Sequence, residues 1–167
     1  MRWLPTFLAV PLVVAATTAP TASAADRVPV DNGEIFLPGA VFCGFDVDIE
    51  VVENHEFATT RTFADGTTVT SVTGRFVESY TNLATGKSIV RDVSGPTTTT
   101  THPDGTATFV GGGSNRLIFG PRGRANTGEP ALVITTGRVV VTFDANVATS
   151  LSLAGRQENV CATLAAA

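Results

Sequence analysis

The chain has 167 residues, with 11 Lys or Arg against 15 Asp or Glu, a formal charge of −4, and Lys87 as its lone lysine. Nucleic acid and anionic membrane surfaces select for basic patches, so both drop out as partners. With only 2 histidines and 2 cysteines, a histidine-rich metal centre is excluded, and no cofactor motif is present.

The opening stretch, MRWLPTFLAVPLVVAATTAPTASAADRV, has the three parts of a secretory signal. Arg2 supplies the positive end, Trp3 to Ala16 the apolar run, and Ala22-Ser23-Ala24 the small-residue cleavage site. A membrane anchor needs about 20 apolar residues, and this run is shorter and broken by Pro5 and Pro11. Cleavage near Ala24 gives a secreted chain of about 143 residues with a charge of −5 once Arg2 leaves. No later segment is apolar enough to span a membrane. That length suits one domain with a core of its own. The expected division is a signal over 1–24, a loose N-terminal arm over 25–40 and one β-domain over 41–167.

From Val41 the chain reads as strands cut by turn residues. Val41 to Val52 alternates along its length, ENHE turns it, and FATTRTF follows. ADG at 64–66 is a hairpin signal into TTVTSVTGRFVESY, and NLATGK turns into SIVRDVSG. The threonine run 97–101, flanked by Pro96 and Pro103, suits an edge or exposed strand. PDG leads to TATFVG, then RLIFG, and DAN separates ALVITTGRVVVTFD from VATSLSLAGRQ. GPRGRANTGEP at 120–130 reads as a long loop, and ENVCATLAAA as a short C-terminal helix. Gly74 and Gly137, inside otherwise good strands, mark bulges or bends. Val, Thr, Ile and Phe between such regular turns predict an all-β antiparallel domain. An up-and-down barrel of about eight strands fits first and a β-sandwich second.

Each candidate site has a plainer reading beside it. Asp46, Asp48 and Glu50 share one face of a strand whose other face is apolar, which is the ordinary state of a half-wet antiparallel strand. The alternatives are pairing with Arg61, Arg75 or Arg91, or a metal site completed by other strands. ATGKS at 84–88 lacks the first glycine and the helix of a phosphate loop. GGGSN at 111–115 lacks a lysine and reads as a connection. His55 and His102 both fall in turns. Arg116, Arg122 and Arg124 gather around the long loop, where they could clamp a carboxylate or phosphate of a ligand, or simply keep the loop soluble. Cys43 and Cys161, in an oxidising compartment, pair as one disulfide. The alternative of two free thiols lacks a C-x-x-C or a neighbouring histidine.

The pieces CGFDV, TNLATGKS, SGP, RLIFGP, GRVVVTFD and SLSLAGRQENVCATLA resemble a family of small secreted β-proteins of actinobacteria, the high-GC Gram-positive bacteria. The resemblance runs from about Phe42 to Leu164. It implies export and a paired Cys43–Cys161, and brings no catalytic motif. At fold level alone the strand order is similar to lipocalin-like and allene oxide cyclase-like barrels. The lipocalin G-x-W is absent, since the single tryptophan is Trp3. Three functions follow as expectations: a non-enzymatic barrel holding a small apolar ligand under the 116–130 loop, a filled barrel that binds a cell-envelope protein, or a cyclase- or isomerase-type enzyme. The last requires a buried cluster of Asp or Glu with Arg and Tyr80.

Overall fold

A computed structural model describes residues 26–166. The signal-like segment and its cleavage site near Ala24 lie outside the described residues. Within them the chain is all-β and antiparallel throughout, and it forms two sheets in place of the expected closed barrel. Over its first half the chain passes back and forth between the sheets, and the larger sheet, although eight-stranded, ends on unjoined strands.

The arm begins this alternation. β1 (Arg27–Pro29) pairs with β4 (Phe57–Thr62) of the larger sheet, and β2 (Ile35–Leu37) with β3 (Val47–Asn54) of the smaller. It is therefore an edge strand for each sheet and not a loose segment. β3 starts at Val47 and not at Val41, because residues 41–43 form a turn. Its two faces divide as the alternation predicts: Val47 and Ile49 are buried, while Glu50 is exposed and Asp48 half-buried. Asp46 stands just ahead of the strand, exposed, and accepts the Gly39 N–H at 2.7 Å.

The stretch expected as one strand from Thr67 to Tyr80 is two. β5 (Thr68–Thr73) belongs to the larger sheet and β6 (Phe76–Asn82) to the smaller. Gly74, at φ +146°, makes the change of sheet, and a Cβ there would lie 2.1 Å from the His55 carbonyl oxygen. β7 (Ser88–Asp92) completes the smaller sheet in the order β2-β3-β6-β7. β8 (Thr97–Thr101), the threonine run, is not an edge. It lies between β5 and β9 (Thr106–Gly111), where half-buried β-branched side chains suit an interior strand and Ser71 and Thr98 hydroxyls meet at 3.2 Å.

β11 (Leu132–Asp144) is the spine of the larger sheet. One edge pairs first with β10 (Ser114–Ile118) and then with β9, and the other pairs along nearly its whole length with β12 (Val147–Asn159). Gly137 sits where the partner changes, donating its N–H to the Gly113 carbonyl at 2.8 Å. The apolar run Leu132-Val133-Ile134 has no polar alternation because this half of β11 is covered on both faces. Leu132 and Ile134 pack with Val47, Ile49, Phe76 and Tyr80 of the smaller sheet. Val133, Val139 and Val141 pack with Leu117 and Phe119 on the opposite side.

The expected loop after Gly120 contains a helix, α1 (Pro121–Thr127). Pro121 supplies a fixed φ in the first turn, and Gly128, at φ +75°, closes the last turn on the Arg124 carbonyl. The C-terminal helix does form, as α2 (Val160–Ala165), capped by Asn159 accepting the Ala162 N–H at 3.1 Å. Val160 and Leu164 sink into the core between the sheets. Cys43 and Cys161 are bonded, with Cα atoms 5.2 Å apart, across 118 residues of chain. Among the described residues no helix is long and apolar enough to cross a membrane.

Closing so long a loop restricts the unfolded chain, and Cys161→Ser is expected to lower unfolding free energy by about 4–5 kcal/mol in the chain-entropy account. Urea unfolding of the oxidised wild type and the variant measures this, and an unchanged midpoint would contradict it.

Candidate functional site

The inward face of β6 reads Phe76, Glu78, Tyr80, Asn82, so the strand's alternation places a carboxylate among core residues. In register, Glu78 lies between Val51 of β3 and Arg91 of β7. In the facing sheet, Ile134 of β11 lies between Arg116 of β10 and Glu158 of β12. The two rows therefore present opposite charges to each other. Arg116 Nη1 donates to Glu78 Oε1, and Arg91 donates to Glu158 from Nε and from Nη2, each at 2.9 Å. Two ion pairs join the sheets on either side of the core.

These pairs stand in different surroundings. The Arg91 and Glu158 side chains are 35 % and 29 % exposed, and the Arg91 guanidinium holds the Glu158 carboxyl below its usual range. Glu78 is 1 % exposed, with Arg116 at 20 %. Burial raises the Glu78 carboxyl above its ordinary value, although the Arg116 charge and the Tyr80 hydroxyl, donating at 2.6 Å, pull it back in part. Burial, and then the Glu78 charge, push the Tyr80 phenol far up, so it stays a hydrogen-bond donor.

A third carboxylate approaches from the β3–β4 turn. Glu56, 9 % exposed, accepts from Asn32 Nδ2 at 2.7 Å through Oε2, and its own carbonyl accepts the Val30 N–H at 3.0 Å. Asn54 fixes the turn, accepting the Glu56 N–H at 2.9 Å and donating to the Val30 carbonyl at 2.8 Å. Burial raises the Glu56 carboxyl; the Asn32 hydrogen bond lowers it, the nearby Glu78 charge raises it again, and the Arg116 charge lowers it in smaller part.

Glu56 and Arg116 face a cleft of about 220 Å³ between the sheets, walled by Val72, Phe76, Val93 and Phe109. Asn32 and Asn115 add amide groups to its lining. A larger hollow of about 400 Å³ lies beside α1, lined by Phe119, Phe143, Val147 and Ala148 with Arg122 at its rim. Apolar walls with a few convergent polar groups and perturbed carboxyls mark a candidate binding site, and of these two hollows the smaller combines them.

The three arginines of the expected ligand clamp do not gather. Arg116 enters the cleft, Arg122 is exposed on α1 beside the hollow, and Arg124 donates from Nη2 to the Val41 carbonyl at 2.8 Å, its Nε buried without a partner. Of the arginines weighed as partners for the β3 carboxylates, Arg75 pairs with Glu53 and Asp92, and Arg91 with Glu158. His55 and His102 stay exposed in turns. No group of three or more His, Cys, Asp or Glu suited to a metal occurs among the described residues. Glu56, Glu78 and Asn32 were not singled out by the sequence pattern. The one signal was a carboxylate in step with Phe76 and Tyr80 on β6. No protein-family model, curated protein or solved structure matches the chain.

Removing one partner of a buried pair strands the other charge, so Arg116→Met is expected to cost about 3–5 kcal/mol. Replacing both, as Arg116→Met with Glu78→Leu, should recover most of that loss. Urea unfolding of the single and double variants tests this, and a single variant as stable as wild type would contradict a buried pair.

A raised carboxyl means that the folded state holds its proton more tightly than the unfolded state. The stability from Glu56 is therefore fully present below the ordinary glutamate value of 4.5 and is lost as pH rises through its raised pKa. The groups with lowered carboxyls, Asp65, Asp92, Asp104 and Glu158, act in the opposite sense and at lower pH. Denaturation from about pH 4.5 to about pH 8 should show Glu56→Gln gaining on wild type as pH rises. Parallel profiles would place Glu56 in water.

Proposed function

We propose that this chain is an exported, non-enzymatic small-ligand-binding protein whose site is the cleft between its two sheets. The observation that carries the reading is the meeting of Glu56 and Arg116 at a concave surface walled by Val72, Phe76, Val93 and Phe109. The signal-like N-terminus and the Cys43–Cys161 bond support export, since disulfides persist in oxidising compartments. The site differs from the expected one beneath the 116–130 loop, and only Arg116 of the expected arginines belongs to it.

A second reading, a cyclase- or isomerase-type enzyme, draws support from Glu78, Tyr80 and Arg116 standing together inside the protein. A raised carboxyl such as Glu56 is what a general acid or base uses near neutral pH. Glu78 and Tyr80, however, are both fully buried and bonded to each other, which leaves Glu56 and Arg116 to face a ligand. Binding therefore ranks ahead of chemistry. An envelope partner would be supported by a continuous apolar patch. The large exposed apolar residues Val28, Phe36, Val52 and Val90 lie on β1, β2, β3 and β7, and Phe63 in the β4–β5 turn, spread over both sheets.

Native mass spectrometry of the secreted protein, purified gently from an actinobacterial host, tests the reading. The expected spectrum carries a reproducible extra mass, lost on denaturation and missing from a folded Val72→Trp variant with the cleft plugged. A bare mass for the wild type would contradict it.

A further inference from the structure

The charges facing the cleft do not balance. Arg116 is in contact with Glu78, and that pair is close to neutral as a unit. Glu56 has no such partner: among the described residues no ion pair includes it. One of its oxygens accepts from the neutral Asn32 amide, and no hydrogen bond within the described protein reaches the other. A carboxylate only 9 % exposed thus faces a cavity whose cation, Arg116, is already bonded to Glu78 and reaches Glu56 through its charge alone. Ionised, such a group is costly unless a further positive charge arrives, and without one it keeps its proton to higher pH.

The other linings limit what that charge can be. An inorganic cation wants several oxygen ligands at once, and Glu56 with two side-chain amides is a poor set for it. An anion would meet Glu56 and find Arg116 already engaged. A cation with an apolar body fits both parts: the head meets Glu56 and the body meets Val72, Phe76, Val93 and Phe109. A volume of about 220 Å³ restricts that body to a short chain or a single ring.

We propose that the cleft takes a small organic monocation, a primary ammonium on a short alkyl or arylalkyl body, with Glu56 as its counter-ion and Arg116 holding Glu78 away from it. The proposal rests on the ligand-binding reading above and gives it a chemical class. It also carries a linkage. The bound cation favours ionised Glu56, so affinity rises with pH through the Glu56 titration, and binding below that range releases a proton.

Isothermal titration calorimetry of the oxidised mature protein with phenethylamine, phenethyl alcohol and phenylacetate tests it. The amine is expected to bind, the isosteric alcohol at least about tenfold more weakly, and phenylacetate not detectably. Glu56→Gln should abolish the preference for the amine, and in wild type the amine affinity should rise with pH, a readout that needs no variant. Tighter binding of the alcohol or the carboxylate, lost in Val72→Trp, would overturn the cation class yet leave a ligand-binding cleft. If none of the probes bound, or if the amine bound equally well to Glu56→Gln, the proposal would fall. Native mass spectrometry would still decide separately whether the cleft holds a ligand at all.

Discussion

A guanidinium and a carboxylate meeting between two sheets, Arg116 against Glu78, constrain the rest of this molecule. A buried pair is tolerated only if its geometry is good and its remaining donors and acceptors find partners. Here Tyr80 supplies the second bond to Glu78, and the Arg91–Glu158 pair holds the neighbouring strands in step. Both pairs depend on register, since shifting any of the strands by one residue would turn one member of a pair outward and leave the other without its partner. Several local devices fix that register. Ala145 and Asn146, at φ +45° and +65°, make the tight hairpin between β11 and β12. Irregularities between Thr142 and Phe143 and between Val51 and Glu53 adjust the pairing along those strands.

The cleft follows from the same constraint. The sheets are joined by the two ion pairs and by α2 with its disulfide, and the N-terminal arm meets the β3–β4 turn beside the cleft, where the Val30 N–H bonds the Glu56 carbonyl. Glu56 arrives there on backbone and amide bonds and enters no ion pair among the described residues. Phe76 connects the two regions, since it packs in the core and also forms part of the cleft wall. The site is thus a by-product of how the sheets are joined and not an added loop.

Local chemistry was legible in the sequence and long-range assignment was not. The turns at ADG, PDG and DAN, the short C-terminal helix and the exposure of Glu50 opposite buried Val47 and Ile49 are decided within a few residues, and they stand as the pattern indicates. Which sheet a strand joins is decided by partners far along the chain. Gly74 reads locally as a bend, but the change of sheet it makes, the interior position of the threonine run and the absence of closure were hidden. α1 was missed because glycines and charged residues suggest a loop, while Pro121 and Gly128 in fact frame a short helix. Arg116 could be suspected as a ligand residue. That Glu78 faces it, and that Glu56 reaches the same cleft from a turn, depends on two registers and a crossing that no local pattern encodes.

The central claim is that Glu56 and Glu78 stand between the sheets and out of water. Titration of their side-chain carboxyl carbons by nuclear magnetic resonance tests this without altering a residue. The account predicts midpoints for both above the ordinary glutamate value of 4.5, with Glu158 titrating below it. Ordinary midpoints for Glu56 and Glu78 would put both carboxylates in solvent and contradict the arrangement from which the cleft, its charge and its proposed ligand all follow.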